Sequence, residues 1–325
     1  MGNTKIIKRD NSIDVVGGFM ILIMIMNHII QHTGFSNRQL DNSLLLFSFF
    51  MPWFFFKAGM FYKNPSLKAD IQKLLPPYLI YNIIGIIIGW FINYKEEATS
   101  LLHYGYITIF QWIRYSSPQT NLPLWFLFSF FMVKQIVAVC AKYNYSELKM
   151  AGILFIACFS MHIWGGHNIY YLMNIPLGFV YFAIGHAIKD NQYKKEVFML
   201  SLLIVVAFLI IGISYVGMFS GNLIKGYFLL WPVYAVSGIV LVNNIAKYTS
   251  NLAFVRVLLQ PLAFLGKNSM DYYVLHWLLL IVFLYYADEF NLLRSFEVVI
   301  GLLVVILIVT TIYIVIMRSI KYMKL

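Results

Sequence analysis

The feature that most constrains this chain is a series of long, nearly uninterrupted apolar runs, joined by short polar connections and repeated from one end of its 325 residues to the other. A hydrocarbon core about 30 Å thick needs about 20 apolar residues per helix. Ten segments meet that length: residues 13–32, 42–62, 74–93, 122–141, 149–166, 170–188, 197–219, 226–246, 268–287 and 297–317. The runs are continuous rather than alternating, which argues against a β-barrel, and segments this long in lipid must satisfy their own backbone as helices. Apolar residues make up 61% of the chain and charged residues 11%, against about 25% charged in soluble domains, so lipid has to serve as the solvent. The expected fold class is therefore all-α, a polytopic integral membrane protein with about ten transmembrane helices. It is expected to be a single domain over residues 1–325 with no attached soluble domain. The first run has no small-residue cleavage site before Gln31 and reads as a retained helix. Cys140 and Cys158 lie in apolar runs and read as small buried hydrophobes.

Short loops rich in Lys and Arg stay on the cytoplasmic side. With the N-terminus inside, the inner segments hold eighteen of the 24 Lys and Arg, in six groups running from Lys5, Lys8 and Arg9 to Arg318, Lys321 and Lys324. The outer segments hold Arg38, Lys95, Arg114, Lys225 and Arg294, while Lys57 lies within a span. That asymmetry predicts both termini in the cytoplasm. It also makes the net charge of +11 a signature of membrane orientation, with no nucleic-acid partner implied. The longest polar connection, from Asn93 to Leu122, carries the aromatic run HYGYITIFQW and reads as an outer loop with an interfacial helix or a lid.

Ionisable groups inside spans are expensive and are the first candidates for function. Asp14 opens the first span, and His28 lies fourteen residues later, about 21 Å further along a helix. His28 can hydrogen-bond a neighbouring helix or act as a general base, since imidazole titrates near neutrality. His32, at i+4, shares its face, but a lone HxxxH lacks the third ligand a metal needs; no metal site is expected. Lys57, within FFFKAGMFY, can snorkel to the headgroups or supply a fixed cation to an anionic substrate or a thioester oxygen. In NSMDYYVLHW, Asn268 and Asp271 suit a helix N-cap with a reciprocal partner, whereas His276, two turns deeper, has no such local role. His186, at a helix C-terminus, suits the dipole and reads as structural.

The order of these elements carries a resemblance. Asp14 to His28 in the first span, then MPWFFFKAGMFY, KLLPPY, LPLWFLFSFF and GKNSMDYYVLHW together resemble the acyltransferase-3 family of integral membrane O-acyltransferases over nearly the whole chain. The resemblance implies transfer of an acetyl or other short acyl group from acyl-CoA, acetyl-CoA foremost, to a hydroxyl of an exopolysaccharide, capsule or other envelope glycan. It implies a multi-pass protein of the bacterial cytoplasmic membrane, with acyl-CoA and a glycan or lipid-linked glycan as partners and no prosthetic group. His28 matches the family's catalytic histidine, and His276 and Asp14 are the further catalytic candidates. Lys57, Lys68, Lys73, Trp125, Ser269 and Tyr273 are the donor-binding candidates. Gly17 stands where the family has a basic residue, a role Lys57 can take over, and Asp70 replaces one member of a basic pair ahead of Pro76 and Pro77, with Lys68 as compensation. Inner-face lysines such as Lys63, Lys68, Lys73 and Lys267 suit coenzyme A phosphates. The composition also permits a polytopic transporter or flippase for a polysaccharide or lipid-linked substrate, or a structural subunit of a glycan-synthesis complex. Polar groups concentrated in the first, second and ninth spans, with no internal repeat in view, favour the enzyme.

Overall fold

The computed structural model describes residues 11–35, 37–62, 66–97, 100–164, 171–212, 228–289 and 295–323. Lys63, Lys225 and Arg294 lie outside the described residues. The described chain is all helix and turn, in the order α1 (Asn11–Thr33), α2 (Arg38–Leu45), α3 (Phe50–Met60), α4 (Leu67–Glu97), α5 (Leu101–Tyr115), a 3₁₀ turn (Gln119–Leu124) and α6 (Trp125–Lys142). There follow α7 (Glu147–Ile163), α8 (Tyr171–Ile188), α9 (Lys195–Ile211), α10 (Trp231–Thr249), α11 (Ala253–Leu258), α12 (Gln260–Lys267), α13 (Ser269–Glu289) and α14 (Phe296–Met323). Six helical stretches among these residues are long and apolar enough to cross a bilayer: Asn11–Thr33, Ser43–Met60, Leu67–Ile92, Leu101–Lys142, Ser269–Ala287 and Phe296–Ile320.

Two predicted spans are built differently from a single rod, and a third gains a helix ahead of it. The segment expected over 42–62 is broken by turns at residues 46–49 between α2 and α3. The segment expected from 122 opens with the 3₁₀ turn, in which Asn121 leaves the helical region and Pro123 removes a donor, so α6 starts only at Trp125. Before the span expected at 268–287 stands α12, an extra piece of helix that ends at Asn268.

α1 is the hub, packing on α12, α13, α14, α10 and α3. Lipid supplies no hydrophobic drive between helices, so close contact rests on small residues that let backbones approach. Where α1 meets α12, a Cβ on Gly18 would overlap the Leu262 carbonyl, and one on Gly266 would overlap the Asp14 carbonyl. The α3–α8 contact repeats the device: Gly59 sits on the Phe182 carbonyl and Gly185 on the Phe56 carbonyl. Buried polar bonds add register. Trp53 Nε1 donates to Asn243 Oδ1 at 2.9 Å, and Asn243 Nδ2 donates to Gln192 Oε1 at 3.1 Å, tying α3 and α10 to the turn after α8. Lys134 on α6 pairs with buried Asp70 on α4, and His186 on α8 meets Glu147 on α7 at 2.7 Å, consistent with a structural His186.

Substituting Gly18 or Gly266 with Val should force α1 and α12 apart and cost at least the ~1–3 kcal/mol of an overpacked core, lowering the thermal midpoint of the detergent-solubilised protein. Gly301, which has open space around its Cα, should accept Ala with no loss. Equal midpoints for Gly266→Val and Gly301→Ala would refute this account of the packing.

Candidate active site

The α1–α12 contact sets the register between α1 and the helix that follows α12. Gly266 lies against Asp14 and Gly18, and α13 continues beside α1 in the same direction. Ten residues past Gly266, His276 meets His28: Nδ1 of His28 and Nε2 of His276 are 2.9 Å apart, with ring planes 11° from parallel. His276 is fully buried and His28 partly exposed.

The neighbouring carbonyls assign the protons. His276 Nδ1 lies 2.7 Å from the Tyr273 carbonyl oxygen and 3.2 Å from that of Tyr272. Carbonyl oxygens only accept, so this nitrogen carries the hydrogen. In a neutral ring Nε2 is then the acceptor, and His28 Nδ1 is the donor to it. The lone pair of His28 consequently sits on Nε2, the atom not engaged by His276. The pair is thus an imidazole oriented by a second imidazole, which is itself anchored on a peptide carbonyl, and its remaining lone pair is able to accept a proton.

Trp277 closes the other side, edge-on to His28 with ring centroids 5.2 Å apart and edge-on to His32 at 4.8 Å. Its indole Nε1 is buried with no hydrogen-bond partner among the described residues. His32 therefore packs against tryptophan, and no group of three His, Cys, Asp or Glu among the described residues could hold a metal.

The other candidates fall into separate places. Asp14 is buried at the far end of α1, against the Gly266 backbone, some 21 Å along the helix from His28. Lys57 on α3 reaches the same end. Its Nζ lies 5.0 Å over the Trp53 ring and 3.5 Å from where a Cβ on Gly17 would stand, so a cation carried by α3 occupies the ground beside the α1 position where a basic residue was expected. Ser269 and Tyr273 line a narrow cavity of about 50 Å³ with Ile21, Phe54, Phe126 and Met270. Ile21 is seven residues before His28 and Ser269 seven before His276, so this slot lies two turns from the pair on the same helix faces. The Tyr273 hydroxyl is held by the Pro123 carbonyl. Trp125 is buried beside Phe126, ring centroids 6.1 Å apart, outside the slot lining. Lys68 and Lys73 stand exposed on the first turns of α4.

The expected Asn268 cap takes another form. Its amide donates to the Phe264 carbonyl at 2.7 Å and its side-chain oxygen accepts from Arg318 of α14, so Asn268 joins α12 to α14 instead of capping α13. Arg318, read from sequence only as an orientation charge, and the Trp277 indole are the two groups that sequence reasoning passed over. Nothing local marks Arg318, whose partner is 50 positions away; Trp277 was visible only as the neighbour of His276.

These features define a class: an all-helical, multi-pass membrane protein with a hydrogen-bonded histidine pair inside the bundle. The sequence matches the acyltransferase-3 family, an acyltransferase domain, over residues 10–317. The chain belongs to that family, and is a membrane acyltransferase. Comparison with curated proteins and with solved structures gives no match.

Histidine ¹⁵N chemical shifts should report protonated Nδ1 on both His28 and His276 in the neutral protein, and His276→Ala should release His28 from that tautomer. A His28 ring protonated on Nε2 in the wild type would overturn the assignment.

Proposed function

We propose that the protein transfers an acetyl or other short acyl group from acyl-CoA to a hydroxyl of an exopolysaccharide, capsule or other envelope glycan, with His28 as the general base. The observation that carries this is the His28–His276 hydrogen bond in a chain of an acyltransferase family. The acceptor hydroxyl attacks the thioester carbonyl carbon while His28 Nε2 takes its proton. As His28 becomes cationic, its Nδ1–H bond to His276 strengthens, and the Tyr273 carbonyl keeps His276 in the tautomer that can accept it. The tetrahedral oxyanion collapses, the carbon–sulfur bond breaks, and the thiolate recovers the proton from His28, giving the ester and free coenzyme A. His276 positions the base. The Trp277 N–H is the donor at hand for the oxyanion.

The donor reading follows the length of α1. The slot of Ile21, Phe54, Phe126, Ser269, Met270 and Tyr273 has room for a few heavy atoms, which suits a short acyl group. Lys57, Lys68 and Lys73 lie toward the end of the bundle where Asp14 is, where coenzyme A phosphates would meet positive charge. Asp14 then serves that end as an anchor among cations and takes no proton from the acceptor, being about 21 Å from the base. The topology that goes with this reading has ten crossings, with α7, α8, α9 and α10 added to the six long stretches and both termini cytoplasmic, in the bacterial cytoplasmic membrane.

His28→Ala and His28→Gln should each lower transfer per folded molecule by about 10²- to 10⁴-fold, with acetyl-CoA binding retained, and His32→Ala should be far milder. Trp277→Phe should cost about 10²-fold in turnover if the indole donates to the oxyanion. Retained turnover in both His28 variants, normalised to folded protein, would remove it as the base. For the topology, an impermeant maleimide applied to intact cells should label Arg38→Cys and leave Lys194→Cys unmodified, against the low background of buried Cys140 and Cys158. Labelling at position 194 would reverse the orientation.

A further inference from the structure

α5 is amphipathic in the sense opposite to a surface helix. Leu102, Tyr106, Ile109, Phe110 and Ile113 are exposed on its outer side, while Tyr104, Thr108 and Gln111 turn inward onto a cavity of about 370 Å³ with exposed His103 at its rim. Gln119 and Thr120 of the 3₁₀ turn, Gly89 and Ile92 of α4, Ile107 of α5 and Ile281 of α13 complete the walls. Polar side chains on a helix whose other face is apolar and exposed, in a chain that spans a bilayer, mark a cavity reached by water or a polar ligand.

The lining has a definite chemistry. Gln111 Nε2 donates to Gln119 Oε1 at 2.8 Å, leaving an amide acceptor on Gln111 and an amide donor on Gln119 to a ligand. Hydroxyls of Thr108 and Thr120 and the His103 imidazole add to them, and Tyr104, its ring 5.4 Å from that of Trp90, adds an aromatic flank. No carboxylate, amine or guanidinium appears among the described lining residues. Neutral donors and acceptors with an aromatic flank suit a neutral, hydroxyl-rich ring.

The place of the cavity ties it to the histidine pair. The 3₁₀ turn that walls it is pinned to α4, with Asn121 Nδ2 donating to the Tyr81 carbonyl at 2.8 Å. Three residues past Thr120, Pro123 accepts the hydroxyl of Tyr273, whose own carbonyl holds His276. Along α13 the order is Ser269 at the apolar slot, His276 at the base and Ile281 at this cavity, over about 18 Å of helix. On α4, Gly89 lies sixteen residues beyond Lys73, about 24 Å away, so the cavity and the donor lysines sit at opposite ends of the bundle.

We propose that the cavity between α4, α5, the 3₁₀ turn and α13 binds the acceptor as a neutral carbohydrate ring, entering from the end of the bundle opposite the acyl donor. This rests on the acyltransferase reading above. The test uses the full chain in lipid nanodiscs free of sugar detergents. Saturation-transfer NMR is run with methyl β-D-glucopyranoside, methyl β-D-galactopyranoside, methyl α-D-mannopyranoside and methyl N-acetyl-β-D-glucosaminide, and acetyl-CoA binding is measured on the same preparation. The expected result is saturation transfer to at least one glycoside, weakened about tenfold by Gln111→Ala with Gln119→Ala, the loss expected for two hydrogen bonds. Acetyl-CoA binding should be unchanged by that pair, and glycoside binding should survive His28→Ala. Undiminished transfer in the double variant, or none from a wild-type preparation that binds acetyl-CoA, would overturn the site. Glycoside binding that depends on Gln111 and Gln119 in a preparation that binds no acetyl-CoA would uphold the carbohydrate site and sink the acyltransferase reading instead.

Discussion

The rest of the structure depends on one close approach of two backbones, α1 on α12. Gly18 lies on the Leu262 carbonyl and Gly266 on the Asp14 carbonyl, a spacing that no side chain larger than hydrogen allows. In lipid such contacts gain from dispersion and shape, with no help from water expulsion. Because the contact is rigid and sits at one end of α1, it fixes how far along the helix each later residue of α13 falls. A shift of one residue, 1.5 Å of rise and 100° of turn, would carry His276 away from His28.

Three sets of polar groups inside the bundle act alike. Each is joined to a different helix, so that satisfying it also fixes a register. Trp53 to Asn243 to Gln192 links α3, α10 and the turn after α8; Arg318 to Asn268 links α14 to the break before α13; Asp70 to Lys134 links α4 to α6. Other buried polar atoms, among them Ser129 Oγ, the Tyr181 hydroxyl and the Trp277 indole, have no hydrogen-bond partner among the described residues, and of these the Trp277 indole lies beside the histidine pair. An unmet buried donor costs free energy, and under the proposed function this one is placed to meet the oxyanion.

α13 organises the interior as a sequence of environments. Its first turn borders an apolar slot, its second turn carries the buried imidazole that orients His28, and its fourth borders a polar cavity walled by α5. The break at Asn268 starts this helix inside the bundle, beside α1, and the three environments then follow from the identity of its residues and of the helices that face them.

The sequence by itself determined the solvent, the helical class and the candidate base. Continuous apolar runs of about twenty residues leave a chain in lipid no other backbone, and a histidine near the end of the first run is conspicuous because its surroundings are apolar. The two turns of helix between Asn268 and His276 were equally legible, as was the absence of a local role for His276. Only the tertiary structure decided that His28 and His276, 248 positions apart, share a hydrogen bond, that Asn268 answers Arg318 instead of capping α13, and that Lys57 stands beside Gly17. The reason is physical: periodicity and hydropathy record what each helix must hide from or show to lipid, and they carry no information on the rotation and offset of one helix against another. Those are set by glycine contacts and buried polar bonds whose partners lie in distant parts of the chain.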